Sequence, residues 1–208
     1  MTTLTAIEPR TLRVRLGDPR LLTEILTESD ALEHGHFELL SGHHAETFIR
    51  FSRIANHSPS LDRTARWLLP SVAAWMPDVV LAPATAGVAL AWTLSRHLGL
   101  PLVLADVGDD GRALPLTPAE NLSSKRVLLV NDVVTTGTGM EVLASVARDA
   151  GALVVGGSWF LARKDADVSA TIDAPAAWVG DLLLEHWSRQ ACPLCDHGDE
   201  LTRAIEIN

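Results

Sequence analysis

Short apolar runs alternate along the chain with longer stretches whose apolar positions recur at helical spacing. The runs are Val79-Val80-Leu81-Ala82, Pro101-Leu102-Val103-Leu104-Ala105, Val127-Leu128-Leu129-Val130 and the segment from Leu153 to Ala162. Val127 to Val130 carries no polar side chain, which suits a strand buried on both faces, as in a parallel sheet. Between the runs, Leu61 to Ala74, Gly87 to Leu98 and Met140 to Ala150 space their apolar residues as helices, with Pro77 and Gly99 as stops. A further helix is predicted from about Leu21 to Leu32, ahead of a hairpin over Gly35–Gly42. This alternation predicts an α/β fold, a doubly wound parallel sheet of about five strands with helices on both faces. Residues 1–58 and 173–208 are expected to pack together as a small cap over the sheet edge, the whole chain of 208 residues forming a single domain. No internal repeat is visible.

Composition narrows the function classes. No apolar run approaches the roughly 20 residues that span a bilayer. The opening Met1-Thr2-Thr3-Leu4-Thr5 lacks the basic and apolar regions of a signal peptide, so a cytoplasmic protein is expected. A net charge of −9 opposes binding to nucleic acid and long-range capture of anionic nucleotides. The roughly 30 residues before the hairpin are also too few for a separate helix-turn-helix domain. A phosphate site in such a chain must be local, built from backbone amides, a few cations and a divalent metal.

The segment from Val127 to Gly139 has the makings of that site. Its apolar strand runs into Asn131-Asp132-Val133-Val134-Thr135-Thr136-Gly137-Thr138-Gly139. Asn131 and Asp132 fall at the C-terminal end of the strand, the edge where open α/β sheets bind ligands. Gly137 and Gly139 permit close backbone approach, and the threonine hydroxyls add donors. The helix that follows directs its N-terminus at a bound anion. Neither a Gly-Lys-Ser/Thr nor a G-x-G-x-x-G pattern is present, which excludes a Walker loop and a dinucleotide fingerprint.

These residues resemble the phosphoribosyl diphosphate (PRPP) signature of type I phosphoribosyltransferases: a hydrophobic run, two acidic residues and a Thr/Gly loop. Three other segments follow in the family's order. Gly35-His36-Phe37-Glu38-Leu39-Leu40-Ser41-Gly42 is similar to the N-terminal hairpin of the orotate phosphoribosyltransferase branch, Ala82-Pro83-Ala84-Thr85-Ala86-Gly87 to the diphosphate loop, and Ala162-Arg163 to the Asp-Arg pair. The resemblance implies that Asp132 and Asn131 face the ribose as catalytic residues and that Thr135, Thr136, Gly137, Thr138 and Gly139 hold the 5-phosphate. It implies that Thr85, Ala86, Gly87 and Arg112 hold the diphosphate beside Mg²⁺. It also assigns Arg163 to the acceptor, whose carboxylate a guanidinium grips in a bidentate fork. By composition alone Arg163 is an ordinary surface arginine. A homodimer is expected through the resemblance only.

The sequence departs from the family at Asn131 and in the lid, among other positions. Asn131 replaces the first acidic residue and removes a negative charge near the developing cation. The stretch from Asp106 to Ser124, without apolar pattern and rich in Gly and Pro, corresponds to the family's lid, yet it offers Arg112 where the orotate branch carries several Lys and Arg. Arg50 and Arg53, after the hairpin, are candidates to supply the missing cationic charge. His43 and His44 either touch substrate or fill the cap.

A second chemical cluster lies in Cys192-Pro193-Leu194-Cys195-Asp196-His197. Cys192, Cys195 and His197 offer three ligands for a structural zinc, with His186 or another group as the fourth. Two reduced structural thiols are the alternative, because a paired CxxC–CxxC arrangement is absent. The expected activity is Mg²⁺-dependent transfer of 5-phosphoribosyl from PRPP to a nitrogen of a planar acidic base, with orotate foremost. The alternatives are another acceptor, or a PRPP- or nucleotide-binding protein with weakened catalysis.

Overall fold

Consecutive residues of the central strands enter two different cores, and this explains why those strands are continuous apolar runs. Val80, Ala82, Leu128 and Val130 face one core, whereas Val79, Leu81, Val127 and Leu129 face the other. The computed structural model describes residues 17–39, 42–84, 87–107, 113–117, 121–163, 168–182 and 185–204. In chain order its elements are α1 (Pro19–Glu28), β1 (Leu32–Glu38), β2 (His44–Ile49), α2 (Phe51–Asn56), α3 (Ser58–Ala74), β3 (Val79–Pro83), α4 (Val88–Leu98), β4 (Leu102–Val107), β5 (Ala113–Thr117), β6 (Arg126–Val130), β7 (Val133–Val134), α5 (Thr138–Asp149), β8 (Leu153–Arg163), α6 (Val168–Ile172), β9 (Ala176–Leu182), β10 (His186–Trp187), α7 (Pro193–His197) and β11 (Leu201–Arg203).

The large sheet has the order β5-β4-β3-β6-β8-β7, and β9 pairs with β8. All its pairings are parallel except β4 with β5. β6 and β7 occupy one lane along β8 in a single register, Val130 opposite Ser158 and Val133 opposite Leu161. The parallel part therefore has five lanes, doubly wound as its alternation predicts: α1 to α4 cover one face, α5 and α6 the other. Among the described residues no helix is long and apolar enough to cross a membrane.

The small sheet has the order β10-β2-β1-β11, so strands from the two ends of the chain share it. The expected cap included everything from residue 173. β9 instead pairs with β8 in the large sheet, and only the strands from His186 on join the hairpin. Its sequence, Ala-Ala-Trp-Val-Gly-Asp-Leu, is apolar enough for a lane with both faces covered.

Three other boundaries differ from the apolar pattern. α1 stops at Glu28, and Ala31-Leu32 leads into β1 instead of ending the helix; Asp18 caps its start by accepting from the N–H groups of Arg20 and Leu21. The hairpin strands are longer than the glycine spacing implies, with Gly35 inside β1 and the turn near Gly42. The unpatterned stretch after Asp106 contains β5, Ala-Leu-Pro-Leu-Thr, on the sheet edge. Pro115 lacks an N–H, which marks a loop by composition but is tolerated in an edge strand.

Candidate active site

The candidate ribose and phosphate residues come together where the β6–β7 lane is interrupted. The backbone N–H of Asn131 donates to the Ser158 carbonyl at 3.0 Å, and the Asp132 carbonyl accepts from Phe160 and Leu161 at 2.8 and 3.2 Å. These bonds to β8 hold both residues at the C-terminal edge of the parallel sheet, and the Asp132 side chain is buried there. Asn131 Oδ1 is buried with no hydrogen-bond partner among the described residues. A buried amide oxygen in that condition is an uncommon cost, of the kind found where a ligand completes the bonding.

Thr135 to Gly137 form the turn between β7 and α5, and Thr138 and Gly139 open the helix. Gly137 is buried and has φ +89°, a left-handed conformation that glycine adopts without steric cost. Thr135, Thr136, Thr138 and Gly139 are exposed. Thr136 Oγ1 lies 3.0 Å from Thr138 Oγ1 and accepts a long bond from the Thr138 N–H at 3.4 Å, which folds the loop back on itself. The 12-residue α5 starts at Thr138, so its first N–H groups and the positive end of its dipole face the loop.

The candidate diphosphate loop follows β3. A methyl group on Gly87 would lie 3.0 Å from both Cα and Oδ1 of Asn131, and one on Gly139 would lie 4.0 Å from Asn131 Nδ2. Asn131 thus stands between the two glycine loops, a juxtaposition with no signal in the sequence. Thr85, Ala86 and Arg112 lie outside the described residues. Arg163 ends β8 opposite Leu182 on β9.

Arg50 and Arg53 are both engaged with carboxylates of the N-terminal elements. Arg50 grips Glu33 with Nε and Nη2 at 2.9 and 2.8 Å, and Arg53 bonds Glu33 at 2.6 Å and Asp30 as well. Hydrogen bonding from Arg50 holds the Glu33 carboxyl below its ordinary value, against the opposing effect of burial. Both arginines tie the start of α2 to β1.

The cysteine cluster recruits different histidines from those its spacing suggests. The ligand atoms of His36, His44, Cys192 and Cys195 all lie within 4.8 Å of one another. His197 is not among them. It is exposed at the end of α7, two residues past Cys195 and so about 200° around the helix. His186 packs its ring on His43 at 5.2 Å, outside the cluster. His44 is buried beside His36, so of the two roles open to it, filling the cap is the one its position fits. Burial and then His36 hold its imidazole below the ordinary value, while burial and the neighbouring Cys192 raise the Cys195 thiol.

Comparison with known proteins agrees with this geometry. Residues 51–169 match the phosphoribosyl transferase domain family. The orotate phosphoribosyltransferase of Caldanaerobacter subterraneus is 28% identical over 86% of this chain and 93% of its own, and that of Heliobacterium modesticaldum is 30% identical over 84% and 91%. Among solved structures, the Aeropyrum pernix orotate phosphoribosyltransferase covers 77% of this chain and 93% of its own with a TM-score of 0.62 at 22% identity. A Corynebacterium diphtheriae phosphoribosyltransferase covers 77% and 95% with a TM-score of 0.64 at 22% identity. With two glycine loops meeting at the end of a parallel sheet and relatives that extend over most of its length, the chain belongs to the phosphoribosyl transferase domain family, as a type I pentosyltransferase of the orotate phosphoribosyltransferase-like branch.

Proposed function

We propose that the protein transfers 5-phosphoribosyl from PRPP to the ring nitrogen of orotate, releasing diphosphate. The observation that carries this reading is the position of Asn131 between Gly87 and Gly139, where the two glycine loops approach one residue at the end of β6. The names of the relatives support orotate as the acceptor.

In this reading the Thr135–Gly139 loop and the start of α5 grip the 5-phosphate through backbone N–H groups. Asp132 orients the ribose by accepting from its hydroxyls, and the loop ending at Gly87 holds the diphosphate with Thr85, Ala86 and Arg112. As the bond from C1 to the diphosphate breaks, its electron pair leaves with the diphosphate; the base nitrogen forms the new bond to C1, and its proton passes to the released diphosphate. The chain's work is positioning and electrostatics, since C1 gains positive character without a covalent link to protein. The unpartnered Asn131 oxygen and the Asp132 carboxylate offer donors of the type that suits Mg²⁺, which when bound offsets the charge of the diphosphate. Arg163 takes the acceptor carboxylate. The enzyme works as a cytoplasmic homodimer, with the small sheet as its cap.

Asn131 in place of a carboxylate favours a second reading, a different acceptor on the same site. Incubation with PRPP, Mg²⁺ and orotate, followed by orotate absorbance and diphosphate release, separates the two. Loss of orotate matched by diphosphate is expected. PRPP binding with turnover of another base alone replaces orotate, and binding without any turnover leaves a PRPP-binding protein.

A further inference from the structure

The cluster in the small sheet takes no part in the transfer site, and its four ligand atoms have the chemistry of a closed metal centre. We propose that His36 Nε2, His44 Nδ1, Cys192 Sγ and Cys195 Sγ bind one structural zinc ion that fastens the N-terminal hairpin to the C-terminal segment.

Geometry is the first support. Zinc bonds of about 2.3 Å to sulfur and 2.0–2.1 Å to nitrogen in a tetrahedron imply N···S separations of about 3.5 Å. The observed separations are 3.6 Å for Cys192–His36, 3.7 Å for Cys195–His36 and 3.3 Å for Cys195–His44. The two histidine nitrogens, 2.7 Å apart, need to open by only about 0.6 Å to reach the tetrahedral spacing.

The surroundings also prepare the ligands. His36 Nδ1 lies 3.0 Å from the Asp199 carbonyl, which can only accept; the ring therefore carries its proton on Nδ1 and presents a bare Nε2 to the cluster. Zinc-bound histidines are oriented by such a second partner. Asp199 reaches that position because α7 ends at Gly198, φ +77°, where the Gly198 and Asp199 N–H groups donate to the Cys195 and Leu194 carbonyls. On the other side, the register of β1 against β2 shifts between His34 and Phe37, a bulge of the kind that re-aims a side chain, and His36 lies within it.

Donor type and connectivity favour zinc in a structural role. Two imidazoles and two thiols with no carboxylate select a soft or borderline ion over Mg²⁺. Four protein ligands leave no position for water or substrate. Cys192 and Cys195 lie 156 and 159 residues from His36 in sequence, and the backbone links between those regions are short: β10 has two residues and β11 three. Strands of that length hold weakly by themselves, and a bound ion contributes folding free energy directly.

The test is metal analysis of the full-length protein, purified reducing and without added zinc, with Cys192→Ser, His36→Ala and His197→Ala variants. About one zinc per chain is expected, retained in His197→Ala and lost in the other two. In the wild-type protein, two thiols should react with a thiol reagent only as a chelator releases the ion. Replacement by Co²⁺ should give the visible absorption of a tetrahedral thiolate site, a readout that needs no variant to fold. Protein without metal, with two freely reactive thiols or a disulfide, overturns the proposal. So does zinc that survives His36→Ala or departs with His197→Ala.

Discussion

Gly87, at the start of α4, and Asn131, just past the end of β6, are so close that a single methyl group on Gly87 would stand 3.0 Å from the Asn131 α-carbon. One of the atoms in the way is backbone, held by the Asn131–Ser158 hydrogen bond, and cannot swing aside as a side chain would. Gly87→Ala should therefore displace the diphosphate loop at a cost of about 1–3 kcal/mol. The expected outcome is a fall of tenfold or more in kcat/KM for PRPP, measured by steady-state kinetics, with the fold retained by circular dichroism.

Asn131→Asp restores the carboxylate that the family's motif carries. Its oxygen would occupy a buried position with no hydrogen-bond partner among the described residues, so the free protein should lose about 1–3 kcal/mol of stability. Mg²⁺ with PRPP should return that loss, because the new charge gains a cation. Thermal melts are expected to show a lower Tm without ligand and a larger rise on adding both.

Gly137→Ala isolates backbone strain. Its methyl group would meet Val168 at an ordinary 3.6 Å, but φ +89° disfavours any side chain. The expected cost is about 1 kcal/mol, seen as a lower Tm together with a raised KM for PRPP. An unchanged KM would count against this loop as the 5-phosphate site.

Arg50→Ala tests the assignment of that arginine to structure. Glu33 is held below its ordinary value of 4.5 mainly by hydrogen bonds from Arg50. A folded value below the unfolded one contributes stability above the unfolded value and loses it as pH falls through the folded one. Removing Arg50 should therefore cost about 1–2 kcal/mol near neutral pH, and the gap from wild type should narrow below about pH 4. Urea unfolding at the two pH values measures this, and KM for PRPP is expected to stay unchanged.

The doubly wound sheet was legible in the sequence because both faces of β3 and β6 are buried, which writes unbroken apolar runs into the chain. Gly137 and the start of α5 were equally legible, since a positive φ and a helix N-terminus have local residue signatures. β5 was not, because Pro115 reads as a loop residue wherever its place on a sheet edge is unknown. Nor was β9 visible as a lane of the large sheet, because its apolar residues suit either a cap or a core strand.

By itself, the sequence determined the α/β class, the glycine turn that opens α5 and the strand end that presents Asn131 and Asp132; these depend on residues within a few positions of one another. Tertiary structure decided which distant groups meet: Gly87 against Asn131, Arg50 and Arg53 on Glu33, and His36 with His44, in place of His197, beside the two cysteines. The reason is physical. Helix and strand periodicities report which way a side chain faces its own element, whereas ion pairs and metal ligands are completed across elements, where chain separation carries no information about distance.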